Sequence, residues 1–161
     1  MTTIKTQRIL LSVICIILAM TFCGCTGNFN IVEETTNVVN FATDLANLTT
    51  ELSTSDLPDK QKMELINETI FHSDSEITIE TIMADQQIAD KLPDLSEDFS
   101  FDIASIPNPK DIVSSLTYNE EIGGNTYTTT MDVIINGVTI TIEVTLLSRN
   151  NELGIYDYEI K

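Results

Sequence analysis

Tryptophan is absent from this chain, histidine occurs once, at position 72, and basic side chains are scarce. Eight lysines and arginines face 25 aspartates and glutamates, a formal net charge of −17 over 161 residues. A surface this negative excludes a nucleic-acid partner and electrostatic adsorption to anionic lipid. Only three cysteines are present, Cys15, Cys23 and Cys25, all near the start of the chain. The remainder therefore has no disulfide framework, no CxxC redox pair and no cysteine-based zinc site. Glycine-rich phosphate loops, GxSxG and HExxH are missing as well, which leaves no nucleotide, serine-hydrolase or zincin signature. No cofactor or metal is implied. His72, without a second histidine or a cysteine near it, reads as a surface or capping residue near a helix C-terminus, where a cationic imidazole is favoured.

The N-terminal stretch is what the chain does have. Met1 to Arg8 is polar and holds Lys5 and Arg8. Ile9 to Phe22 then runs apolar for 14 residues, ILLSVICIILAMTF. That is the length of a signal-peptide core and short of the roughly 20 residues a membrane span needs. Phe22-Cys23-Gly24-Cys25-Thr26-Gly27 follows at once. Here the chain resembles prokaryotic lipoproteins, archaeal ones included. Phe22, Cys23, Gly24 and Cys25 stand where that family's lipobox has an apolar residue, two small residues and its cysteine; Phe22 and Cys23 depart from the commonest choices. The resemblance implies cleavage after Gly24, a lipid on the Cys25 sulfur, and a place on the extracytoplasmic face of the cell membrane. Residues 1–24 are then a signal peptide, 25–35 a lipidated cysteine and tether, and 36–161 one domain. With residues 1–24 removed, 25 acids stand against six bases, a net of −19.

In the rest of the chain the hydrophobic pattern changes period. Val38, Phe41, Leu45, Leu48 and Leu52 recur at three and four residues, one face of a helix over about Thr36 to Ser53. Pro58 suits the first turn of a second helix running to about Phe71, with Met63, Ile66 and Ile70 inward. Glu76 to Met83 fits strand or helix, and Ala84 to Leu92 reads as helix. Asp94, Glu97, Asp98 and Asp102 gather in an acidic stretch without EF-hand spacing, which reads as solvated. Phe99, Phe101 and Ile103 alternate as a strand, and Asn108-Pro109 starts a short helix over Lys110 to Ser115.

The strongest pattern lies at Tyr127 to Leu146, YTTTMDVIINGVTITIEVTL. Asn136-Gly137 is the residue pair a type I′ hairpin turn requires. It pairs Ile135 with Val138, Val133 with Ile140, Met131 with Ile142, Thr129 with Val144 and Tyr127 with Leu146, an almost wholly apolar face. Gly123-Gly124 suggests another two-residue turn, setting Tyr118 opposite Thr129 and Leu116 opposite Met131. A three-residue loop, Asn150 to Glu152, sets Leu146, Val144 and Ile142 opposite Tyr156, Tyr158 and Ile160. A two-residue loop would turn those three toward the threonine face, which one-sided burial disfavours.

The expected fold is α+β, with N-terminal helices packed on one face of a C-terminal antiparallel meander of about four to five strands. That element order is similar to cystatin-like and NTF2-like domains, which wrap a curved sheet around helices. Between the layers, Met63, Ile66, Phe71, Tyr118, Tyr127 and Met131 are the candidate lining of a pocket, or else simply core. Two sequons, Asn47-Leu48-Thr49 and Asn67-Glu68-Thr69, fall in expected helices. The function expected is a non-enzymatic domain that binds a small ligand or an envelope protein, held to the membrane through Cys25. A carboxylate-based envelope enzyme and a purely structural surface protein are the alternatives.

Overall fold

The computed structural model describes residues 31–92 and 99–161. Helix α1 spans Ile31–Thr54, α2 Asp59–Ile70, α3 Ile79–Ala84, α4 Gln86–Ala89 and α5 Pro109–Ser114. The strands are β1 Phe101–Ser105, β2 Thr117–Asn119, β3 Gly124–Ile135, β4 Val138–Arg149 and β5 Glu152–Ile160. One antiparallel sheet of five strands has the order β1-β3-β4-β5, with β2 also on β3. The helices lie toward the N-terminal side and the sheet toward the C-terminal part, the α+β arrangement expected.

The β3–β4 hairpin has the register its turn chemistry dictates. All five expected pairs, Ile135 with Val138 through Tyr127 with Leu146, are observed. Asn136 and Gly137 both take positive φ, 49° and 77°. A one-residue slip would turn every apolar side chain of the ribbon outward, so burial and turn enforce one another. Val133, Ile140 and Ile142 are buried and Thr139 is exposed. On the opposite face Leu147 is also buried, and Gly124 leaves the room its Cδ1 occupies: a Cβ on Gly124 would lie 2.7 Å from it.

Helix α1 supplies most of the cover. Val38, Phe41, Leu45 and Leu48 are buried in the core with Leu52 partly buried beside them, so the 3-4 spacing marks the face that meets the sheet. The helix begins five residues before the expected start and takes in part of the expected tether. Glu33 and Glu34 in its first turn suit the positive end of the helix dipole. Helix α2 starts one residue later than expected, with Pro58 as its N-cap, and buries Ile66 and Ile70. The ambiguous segment 76–83 is settled by a cap: the Thr78 hydroxyl accepts from the Thr81 N–H while the Thr81 hydroxyl accepts from the Thr78 N–H. Ala84 ends α3, and residues 85–92 hold only the single turn α4, which the Asp85 side chain caps. Asn108 caps α5 through the Lys110 N–H, with Pro109 in the first turn, as its sequence suggested.

Two turns differ from expectation, each for a local reason. Gly123-Gly124 is not a two-residue turn. Thr117, Tyr118 and Asn119 pair with Thr126, Asn125 and Gly124, leaving residues 120–123 as the loop. Asn119 takes control: its Oδ1 accepts from the N–H groups of Glu121 and Ile122 and its carbonyl from that of Gly123. Such an Asx turn outcompetes the tighter glycine turn. Tyr118 consequently stands 62% exposed and lines no interior space.

Between β4 and β5 the turn is the two-residue Asn150-Asn151, both at positive φ, with Arg149 opposite Glu152. The three-residue loop is thus not formed. Yet Val144 still faces Tyr158 and Ile142 faces Ile160, because Tyr156 is an extra residue between the Leu146–Ile155 and Thr145–Asp157 pairs. The bulge restores the face that the shorter turn had reversed.

Candidate functional site

The six residues proposed to line a pocket are not all brought together. Ile66, Phe71, Tyr127 and Met131 are buried in the common core, and Met63 is partly buried against it. Tyr118 is outside. Ten or more apolar side chains meet there, each worth about 1.5–3 kcal/mol when kept from water. That interior serves cohesion.

An open groove of about 320 Å³ lies between α1 and α2. Asp44, Asn47, Leu48 and Glu51 border it from α1, and Glu68 and Thr69 from α2. Three carboxylates make it acidic. The two sequons meet this surface differently. Asn47 is exposed at the groove. Asn67 is committed to structure: its Oδ1 accepts from the Ile79 N–H at 2.8 Å and its Nδ2 donates to Glu80 Oε2 at 2.8 Å. These bonds tie α2 to the start of α3. The Asn67 amide, ahead of burial, which opposes it, holds the Glu80 carboxyl below the usual carboxylate range.

His72 stands just past the C-terminus of α2, as expected, but it is buried rather than at the surface. Its side chain is 1% exposed, beneath the start of β5. The His72 N–H donates to the Ile155 carbonyl, and Phe71 forms a parallel bridge to Ile155. Gly154 makes the approach feasible, since a Cβ there would stand 2.5 Å from the His72 nitrogen. The imidazole Nδ1 accepts from the Asp74 N–H at 3.0 Å. A neutral ring so placed carries its proton on Nε2, which is buried and has no hydrogen-bond partner among the described residues. Glu152 Oε2 is 4.0 Å from Nε2 and is taken up by the Ser73 hydroxyl, and Asp74 Oδ2 is 3.8 Å from Nδ1. An imidazole in this tautomer offers Nε2 neither as a base nor as a metal ligand unless the Asp74 bond breaks. Asp74 also pairs with Arg149 at 3.4 Å. The group fastens the α2–α3 connection to β5.

A second polar lock joins the first turn of α1 to the sheet. Glu34 accepts from the Asn125 amide at 2.6 Å and, through its other oxygen, from the Tyr127 hydroxyl. Burial first, and then the Glu34 carboxylate, push the Tyr127 phenol far above its ordinary range. Glu34 gave no sign in sequence, because the helix was expected to begin two residues after it.

Asp102 is exposed and its Oδ1 accepts from the Ile103 N–H; Asp94, Glu97 and Asp98 lie outside the described residues. Glu120 and Glu121 are exposed in the β2–β3 loop. Among the described residues no three His, Cys, Asp or Glu side chains are arranged to hold a metal ion. Nor is any described helix long and apolar enough to cross a membrane. Gly24 and Cys25, with the whole apolar leader, lie outside the described residues. Comparisons of the chain with protein-family models, curated proteins and solved structures find no match.

Proposed function

We propose that this chain is an extracytoplasmic protein anchored to the cell membrane by a lipid on Cys25, whose α+β domain is a non-enzymatic binding module for a small ligand or an envelope protein. One observation carries the reading. A 14-residue apolar run closes directly on Phe22-Cys23-Gly24-Cys25, and Cys25 is the last cysteine in the chain. The thiol next to the membrane is thus the single one left after cleavage at Gly24, and nothing competes with it for a lipid. The acid excess suits a domain that must stay soluble beside a membrane it does not cross. A binding role accords with an interior filled by Ile66, Phe71, Tyr127 and Met131 and with a buried His72 side chain, since both leave recognition to the outer surface. The groove bordered by Asp44, Glu51 and Glu68 is a concave surface suited to it.

The test is fractionation of cells expressing the full chain and its Cys25→Ser variant. The wild-type protein is expected in the membrane fraction and soluble only in detergent, and the variant is expected to lose lipid modification and lipid-dependent retention. Equal partitioning of both, with no lipid on either, would refute the anchor.

A further inference from the structure

Three large apolar side chains stand out as exposed among the described residues, Val32, Ile106 and Tyr118, and two of them share one end of the molecule. Val32 is in the first turn of α1 and 59% exposed; Tyr118 is in β2 and 62% exposed. The Glu34 lock connects them. Glu34, two residues past Val32, accepts from the Asn125 amide, and Asn125 is the strand partner of Tyr118. This is also the end where the chain arrives from Cys25. Six residue steps separate Cys25 from Ile31, a reach of at most about 20 Å.

From this we infer that the end of the domain carrying Val32 and Tyr118 rests on the lipid bilayer, with the Tyr118 ring in the headgroup layer. The inference builds on the Cys25 anchor proposed above and adds an orientation to it. A tether that short confines the domain to the membrane surface and raises the local concentration of lipid around whichever end faces it. Tyrosine is the side chain suited to that boundary, with an apolar ring and a hydroxyl that stays wet. Glu120 and Glu121, exposed in the loop that follows Tyr118, set the kind of surface: neutral, or screened by salt, since anionic lipid would repel them. The β3–β4 turn at Asn136-Gly137 lies at the other end of the ribbon, about 35 Å further along β3, and points away from the membrane.

The absence of tryptophan makes this measurable. Residues 25–161 contain every described element, and Cys25 is their one thiol. It can be coupled to a maleimide-headgroup lipid in phosphatidylcholine vesicles, whatever its state in the cell. In that preparation Tyr118→Trp introduces the single tryptophan, excited selectively at wavelengths tyrosine does not absorb. Its emission is expected to shift to the blue and to be quenched when the vesicles contain brominated lipid. Thr139→Trp, at the far end, is expected to show neither effect. An unquenched, red-emitting Tyr118→Trp, or equal quenching at both positions, would overturn the inference. A blue shift that grows with protein density on the vesicle and ignores brominated lipid would assign this end to a second copy of the chain, and would overturn it too. Failure of the anchor itself is read separately, in the lipid content of Cys25 in the native protein.

Discussion

Asn67 and Tyr127 each hold an element in place through a carboxylate, and they are exposed to pH in opposite directions. Asn67→Ala removes the acceptor of the Ile79 N–H and the donor to Glu80. The expected loss is about 1–3 kcal/mol of stability, read as a lower urea midpoint. Because the Asn67 amide lowers the Glu80 pKa in the fold, its contribution is complete above the ordinary carboxylate pKa and fades as pH falls through the lower folded value. Solvent around Glu80 keeps that share small, so the variant should flatten the acid limb of the stability curve only slightly. Tyr127 runs the other way. Its phenol is raised, so its neutral form favours folding below the ordinary tyrosine pKa of about 10, and that stability drains as pH climbs past it. Tyr127→Phe should lose about 1–2 kcal/mol at neutral pH and show a shallower alkaline decline, followed by circular dichroism between pH 8 and 11.

At the scale of elements, legibility depended on whether one local rule acted alone. The β3–β4 hairpin was readable to the residue because turn chemistry and alternation agreed. Helix α1 was readable from its stripe, although its first turn was not: Glu33 and Glu34 lie before the apolar period begins, and the contact that gives Glu34 its role is 91 residues away in Asn125. The β2–β3 connection misled because glycine pairs and an Asx turn compete, and the Asn119 side chain wins. His72 was illegible, since its burial depends on Gly154, 82 positions on, leaving space against β5. The proposed pocket lining is split for a related reason: periodicity places side chains on a face only if the register holds, and the Asn119 turn moves Tyr118 out of it. The β4–β5 hairpin resolves two rival registers by using both, a two-residue turn and then the Tyr156 bulge. Deleting Tyr156 should therefore retain the Asn150-Asn151 turn and close the bulge, leaving Tyr158 opposite Val144 and Ile160 opposite Ile142 in an unbroken ladder. The expected cost is confined to the Ser75 hydroxyl bond to the Tyr156 carbonyl, about 1 kcal/mol, so the thermal midpoint should fall little and amide protection along β5 should persist; loss of that protection would contradict the bulge's role.

For the whole molecule the same features give a direction. A ribbon roofed by helices forms an elongated domain whose α1 is 24 residues and about 36 Å long. The chain enters at the end of α1 that Glu34 pins to the sheet, and the acid-bordered α1–α2 groove opens on the helical side, where a partner can reach it. This geometry has its proposed meaning only if the chain is cut after Gly24 and fixed at Cys25. The intact mass of the protein extracted from native membranes tests that directly. The account predicts residues 25–161 plus a lipid adduct that fragmentation places on Cys25. A mass that includes Met1, with Cys25 carrying a free thiol, would contradict it.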